Sequence, residues 1–471
     1  LRRAHRARFF ELALLACACG SPQKSAPQPA SEAPPKTAVR PESRATPPGD
    51  RDAEEIVALA LEHVAEMRHL PAKTKVKGVV ISREALRERI EKDLLADLEP
   101  EFLEGNTELL FALNLTRADF DFVKNVLLLY GTQLAGFYDP KQKEMVLLDD
   151  LGVENQEATL WHELVHALQD QHYNLEALTK WSADRGDAVS AALSFAEGDA
   201  MSAMMDMVLL PRGQRALDMP EELVAKSMAI IEGLPEVRDV PSILKRSIVA
   251  PYIDGIAFAH SLRREGDWSR VNLAWQAPPE TTEQLLHPEK YRAREPAEKL
   301  TEPPPPPGGP ATVRFHDVLG EQTIRLVLEE WVPLDTAKSA ASGWAGDRAV
   351  VFSDGDRRAA AIALRYDDEA SAARALAAIA RGALSDPIEK ATRVRSATAE
   401  GGQKAGRVGR HCSERELRGP FAVVRSGRDL GVTLGPYVRD NRATRSAATC
   451  ATALPWAEAI SKAKSAGKHR K

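Results

Sequence analysis

The 471-residue chain has only four cysteines, Cys17, Cys19, Cys412 and Cys450. No CxxC pair occurs among them, which excludes a thiolate metal cluster, so any bound metal must be held by His and carboxylate. Excess charge is also scarce. The formal net charge is -5, which gives no electrostatic reason to expect a nucleic-acid partner. The apolar run from Phe9 to Ala16 is too short to span a bilayer as a helix. No internal repeat of fixed period is present. What remains is a hydrophobic share of 44%, ordinary for a folded protein, and a length that allows two or three domains.

The N-terminus reads as a targeting segment. Arg2, Arg3, Arg6 and Arg8 precede the short apolar run, which ends in Leu14-Leu15-Ala16 directly before Cys17. Small residues ahead of a cysteine resemble a bacterial lipoprotein signal over residues 1–19, with Cys17 or Cys19 as the lipidated residue. Residues 20–50 are Ser, Pro, Ala, Gln, Lys, Glu and Arg almost throughout, without an aromatic. Such a stretch buries too little to fold and reads as a tether. The expectation is a protein of the bacterial cell envelope, lipid-anchored on the periplasmic or extracellular side, with the membrane as a partner. In that setting Cys412 and Cys450 could close a disulfide.

From Asp52 the pattern turns helical, with Ile56, Leu59, Ala60, Val64 and Met67 recurring at helical spacing. Lys75 to Ser82 predicts a strand, and Arg83 to Leu98 and Phe120 to Tyr130 predict helices. Leu134 to Tyr138 and Glu144 to Leu148 predict a hairpin around Asp139-Pro140. Further helices are expected over about 156–171 and 187–210, and on to about Arg270. Pro303 to Pro307 with Gly308, Gly309 and Pro310 reads as a linker. Beyond it, strands are expected at 349–353, 359–366, 421–425 and 430–434, with an Ala-rich helix over 368–384. The fold class is therefore α+β: a mostly helical domain over 51–300 with a small sheet, a linker over 301–311, and a smaller α+β domain over 312–471.

The sharpest signal is His162-Glu163-Leu164-Val165-His166, an H-E-x-x-H within a predicted helix. Residues four apart share a helix face, so two imidazoles can grip one Zn²⁺. Glu163 stands one position round, where it can take a proton from an attacking water. A catalytic tetrahedral site needs a third protein ligand and one open position. Two candidates compete. His172 has metzincin spacing, but those proteins carry Gly where this chain has Gln169, and a continuous helix would carry His172 away. Glu197 lies on a second predicted helix among apolar neighbours, with Asp199 or Asp170 able to orient a ligand His.

The run HELVHALQDQHYNL, preceded by AGFYDP at 135–140 and followed by EGDA at 197–200, resembles a largely uncharacterised family of bacterial HExxH proteins of gluzincin type. PYIDGIAF at 251–258, PPETTEQLLHPEKY at 278–291 and GWAGDR at 343–348 are similar to that family too, so the resemblance covers roughly residues 52–370. It implies a gluzincin-like zincin fold with a zinc cofactor on His162, His166 and Glu197 but no known substrate; zinc with a general-base Glu suits amide hydrolysis, so a peptide or protein substrate is expected. The resemblance also implies an edge strand that pairs with the substrate, for which Glu144 to Leu148 is the best candidate. A peptidase needs a donor for the developing oxyanion; Tyr138, Tyr252, His260 and His287 are the candidates, with Tyr252 and His287 placed in the catalytic set. The expected function is a zinc metallopeptidase with Glu163 as general base. Two alternatives stand beside it. One is a non-catalytic envelope protein that uses the scaffold to bind a wall component or protein partner. The other is a structural zinc site closed by both Glu197 and His172.

Overall fold

The computed structural model describes residues 50–97, 99–133, 136–150, 153–220, 223–224, 226, 234–384, 394–400, 409–440 and 444–462. The expected signal and nearly all of the expected tether lie outside these residues.

Helix α1 (Asp50–Met67) buries Ala53, Val57, Leu61 and Val64. That stripe is rotated from the expected one: Leu59 is 63% exposed. The apolar residues outnumber one face, and packing against the strand β1 (Lys77–Ile81) and the helix α5 (Val153–Tyr173) decides which of them go inside. Helices α2 (Arg83–Asp97), α3 (Pro100–Ala112) and α4 (Phe122–Gln133) follow. Pro100 opens α3 at a position that tolerates its missing N–H.

The hairpin forms as β2 (Gly136–Asp139) and β3 (Glu144–Leu148). Its turn is set by Asp139, whose Oδ1 accepts from the backbone N–H of Lys141 and Gln142. The strand order is β1-β3-β2, with β1 parallel and β2 antiparallel to β3. This corrects the edge-strand expectation. Both sides of β3 are already paired, so Glu144–Leu148 has no free main-chain groups to offer a substrate.

Helices α5, α6 (Leu175–Thr179) and α7 (Gly186–Leu209) come next, then the long 242–276 helix, which bends at Gly266–Asp267. Gly198 on α7 and Gly255 on the long helix meet backbone to backbone. A Cβ on Gly198 would lie 1.9 Å from the Gly255 carbonyl carbon, and one on Gly255 would lie 1.7 Å from Ser194 O. Any side chain at either position would push these helices apart.

The C-terminal region is an antiparallel sheet of order β4-β5-β6-β10-β9-β8-β7, with the two-residue β11 (Thr444–Arg445) on β10. The strands are β4 (Val313–Asp317), β5 (Trp344–Asp354), β6 (Arg357–Tyr366), β7 (Val394–Glu400), β8 (Gly409–Arg415), β9 (Gly419–Ser426) and β10 (Asp429–Arg439). Side chains alternate between two faces. Val351, Ala360, Ile362 and Leu364 join a core with the helices at 320–329, 334–341 and 369–384. Val350, Phe352, Ala359, Ala361 and Ala363 pack under Trp456 and Ile460 of the 450–461 helix. Cys412 on β8 and Cys450, the first residue of that helix, form a disulfide with Cα atoms 5.8 Å apart.

The helical and sheet regions share one core. Phe102, Leu109 and Phe111 of α3 and Ile243 of the long helix lie in the same cluster as Phe315 and Trp344. A Cβ on Gly105 would strike the Phe315 ring at 2.1 Å. Nor does the Pro-rich run hang free: Pro303 and Pro306 are buried, and Pro304 O accepts from Trp456 Nε1 at 2.8 Å. The composition of a linker is present, but here the run is held to the 450–461 helix. No helix among the described residues is long and apolar enough to cross a membrane.

Candidate metal centre

His162 and His166 stand one turn apart on α5, and Glu197 meets them from α7. His162 Nε2 lies 3.1 Å from His166 Nε2 and 3.2 Å from Glu197 Oε2, and His166 Nε2 lies 3.5 Å from Glu197 Oε1. The three ligand atoms fall within 4.8 Å of one another. Two ligands at zinc distance from a tetrahedral centre sit roughly 3.3–3.4 Å apart, so the trio has the span a zinc ion requires. Its chemistry fits as well: two imidazoles and a carboxylate are ordinary zinc donors. Glu197 Oε1 is buried and without a hydrogen-bond partner, as expected of an atom meant for a cation.

An outer chain of contacts fixes His166. Its Nδ1 lies 2.8 Å from Gln169 Oε1. The Gln169 amide nitrogen faces two acceptors, Ala196 O at 3.0 Å and Asp199 Oδ2 at 2.9 Å. That sets the amide's orientation, so its oxygen accepts the Nδ1–H and Nε2 is left facing His162 and Glu197. Asp199 also accepts from Trp275 Nε1 at 2.8 Å and from Arg68 Nε and Nη2 at 2.5 and 3.0 Å. Asp199 therefore does orient His166, through Gln169. Asp170 does not: it pairs with the Tyr138 hydroxyl and with Lys143. Gln169 and Arg68 were missed in the sequence. Gln169 was in reach, because a residue three after His166 shares its face. Arg68 is 131 residues from Asp199, and no local signal points to it.

Glu163 is gripped on one side, where Tyr138 N–H donates to its Oε2 at 3.0 Å. Its Oε1 is free of hydrogen bonds and lies 3.8 Å from His162 Nε2. Burial is the largest influence on every member of the site. It pushes the Glu163 carboxyl up to about 8, against the pull of His166 and the Tyr138 N–H. It lowers His162, against Glu197. It would lower His166 too, but Glu197 and Glu163 override it and lift this imidazole to about 9. It would raise Glu197, but His166 and His162 hold that carboxyl low.

These preferences would make uptake of a metal by the trio dependent on pH. A ligand imidazole must be neutral, and His166 favours its protonated form below about 9. Raising the pH removes the competing proton. Apparent zinc affinity should therefore climb from pH 6 to pH 9, by up to about tenfold per unit. Competition with a chromophoric chelator at fixed ionic strength would measure it, and a flat profile would contradict the assignment of His166.

The other sequence candidates fall elsewhere. Tyr252, 1% exposed, stacks on His162 with ring centroids 6.0 Å apart. His287 is not brought to the site: its Nε2 pairs with Glu321 at 2.9 Å, across the contact with the 320–329 helix. His260 is buried beside Arg263 and Arg264; burial first, then those cations, lower it to about 4. His172 Nε2 lies 2.7 Å from Pro71 O, so it is not a zinc ligand and cannot close the site as a fourth donor. A second carboxylate group, Glu283, Glu295 and Asp367, already holds a cation, the Lys290 ammonium, at 2.6 to 2.8 Å.

Comparison with known proteins touches only the sheet region. The family model of a domain of unknown function (DUF8575) matches residues 311–445, which run from β4 to β11. No curated protein and no solved structure matches the chain.

Proposed function

We propose that the protein is a zinc-dependent metallohydrolase of gluzincin type that cleaves peptide bonds. The observation that carries this reading is the convergence of His162, His166 and Glu197 from two helices with Glu163 beside them. His162 and His166 with Glu197 would hold the zinc, which supplies positive charge that acidifies water and polarises the scissile carbonyl. Glu163 accepts the proton of the attacking water through Oε1, while Tyr138 N–H keeps Oε2 in place. As the new C–O bond forms and the C–N bond breaks, Glu163 returns that proton to the leaving amine. Tyr252 packs against His162 and is the residue we place nearest the developing oxyanion. The Cys412–Cys450 bridge supports an oxidising compartment, in line with export and lipid anchoring at Cys17 or Cys19.

One observation favours a second reading. The four site residues are only 0 to 4% exposed, which suits a non-catalytic scaffold that binds an envelope component. Zinc content of the full chain, measured together with cleavage of a mixed peptide library, separates the two. We expect one zinc per chain, its loss in Glu197→Ala, and cleavage only by the zinc-loaded wild type. Zinc retained in Glu197→Ala would overturn the ligand set. Zinc bound by a wild type that cleaves nothing would favour the scaffold.

A further inference from the structure

Between α3, α4, α7, the long 242–276 helix and the 320–329 helix lies a cavity of about 250 Å³. No charged side chain lines it. Its deep wall is aliphatic, with Leu109, Leu113, Leu193 and Leu326 all buried. The polar side chains on the wall are largely spoken for by the protein. Asn106 donates to Phe102 O at 2.9 Å, Ser247 to Leu244 O at 2.8 Å, and Gln322 to Asp254 at 2.7 Å. Phe122, Thr323 and Val327 on its border are half-buried, so one side opens towards solvent.

Water is a poor occupant here, since it needs two to four polar partners. An empty space of this size is equally unfavourable, because its lining atoms lose their dispersion contacts. An apolar ligand satisfies both conditions. A space of ~150 Å³ holds a benzene, and drug-sized ligands need ~300–1,000 Å³. This cavity lies between, with room for one chain and not for the paired chains of a bilayer lipid. With no cation to neutralise an anionic head, the head stays at the mouth in water. We propose that this cavity binds a single aliphatic chain of an amphiphile, such as a free fatty acid or alcohol. Chain binding is independent of the metal trio, so Glu197→Ala keeps it.

The full chain would be titrated with cis-parinaric acid below its micellar concentration, with fluorescence as the readout. We expect one site per chain, displacement by dodecanol, and affinity unchanged in Glu197→Ala. Leu110→Trp on α3 and Thr323→Trp on the 320–329 helix fill the cavity from separate walls, and each should weaken binding at least tenfold. Binding equal to wild type in both folded variants would place the probe elsewhere and overturn the proposal. So would absence of binding by wild type. Should both variants fail to fold, the dodecanol competition on wild type decides: a probe that dodecanol cannot displace is not in this cavity.

Discussion

Glu163→Gln should leave zinc in place and cut peptide hydrolysis by about 10²–10⁴-fold, the usual contribution of a general base. The substitution is chosen for shape. Gln keeps an oxygen that can accept from Tyr138 N–H, the one hydrogen bond that fixes Glu163, and it is not a ligand in the trio. What it loses is basicity at Oε1, the oxygen that faces the site. Glu163 also starts from an unusual position, since burial pushes its carboxyl up to about 8. The active form is ionised, and a zinc ion beside it would pull that carboxyl back down, so the loss in the variant should persist across the neutral range. Zinc content and initial rates on one cleaved peptide, wild type beside variant, measure both effects. A variant that retains more than about a tenth of wild-type activity would remove Glu163 from the role of base.

Arg68→Met should destabilise the fold by about 3–5 kcal/mol, the cost of stranding one partner of a buried ion pair. Arg68 is fully buried. It makes two bonds to Asp199 and one to Asn272 Oδ1 at 2.7 Å, and it lies 4.5 Å from the centre of the Trp268 ring. Met fills much of the same space, so the loss is chiefly electrostatic. Asp199 would keep Trp275 and Gln169 as donors, but its charge would stand uncompensated. The double variant Arg68→Met with Asp199→Asn should recover part of the loss, because the stranded charge is gone. Denaturant melts of the three proteins test this. A loss below about 1 kcal/mol in Arg68→Met would mean that Asp199 is neutralised by another route.

Several segments outside the HELVH run turn out to hold the architecture together. In EGDA, Glu197 is the candidate ligand, Gly198 permits the helix crossing, and Asp199 anchors the chain to His166. In PYIDGIAF, Gly255 is the other half of that crossing, and Asp254 receives both arms of Arg325 at 2.9 and 2.7 Å. In PPETTEQLLHPEKY, Thr281 caps a short helix and Thr282 bonds to Asp187. In GWAGDR, Asp347 accepts from the backbone N–H of Leu319 and Gly320. His287 looked like chemistry because His so often is. Its partner Glu321 lies 34 residues away, and no local pattern announces that contact.

By itself the sequence determined what depends on near neighbours along the chain. The four-residue spacing of His162 and His166 places both rings on one face of any helix. The turn at Asp139 makes the β2–β3 hairpin, and the strands expected at 349–353 and 359–366 lie within the observed 344–354 and 357–366. Only the tertiary structure decided what depends on distant pairing. It put β1 beside β3 and so made β3 central. It chose which apolar residues of α1 to bury, joined the helical and sheet regions in one core across the Pro-rich run, and brought Arg68, Asp199 and Gln169 into line behind His166. Local backbone geometry carries a pattern over a turn or two of helix. Beyond that, the free energy of burying whole faces selects the partners, and those faces become neighbours only when the chain folds.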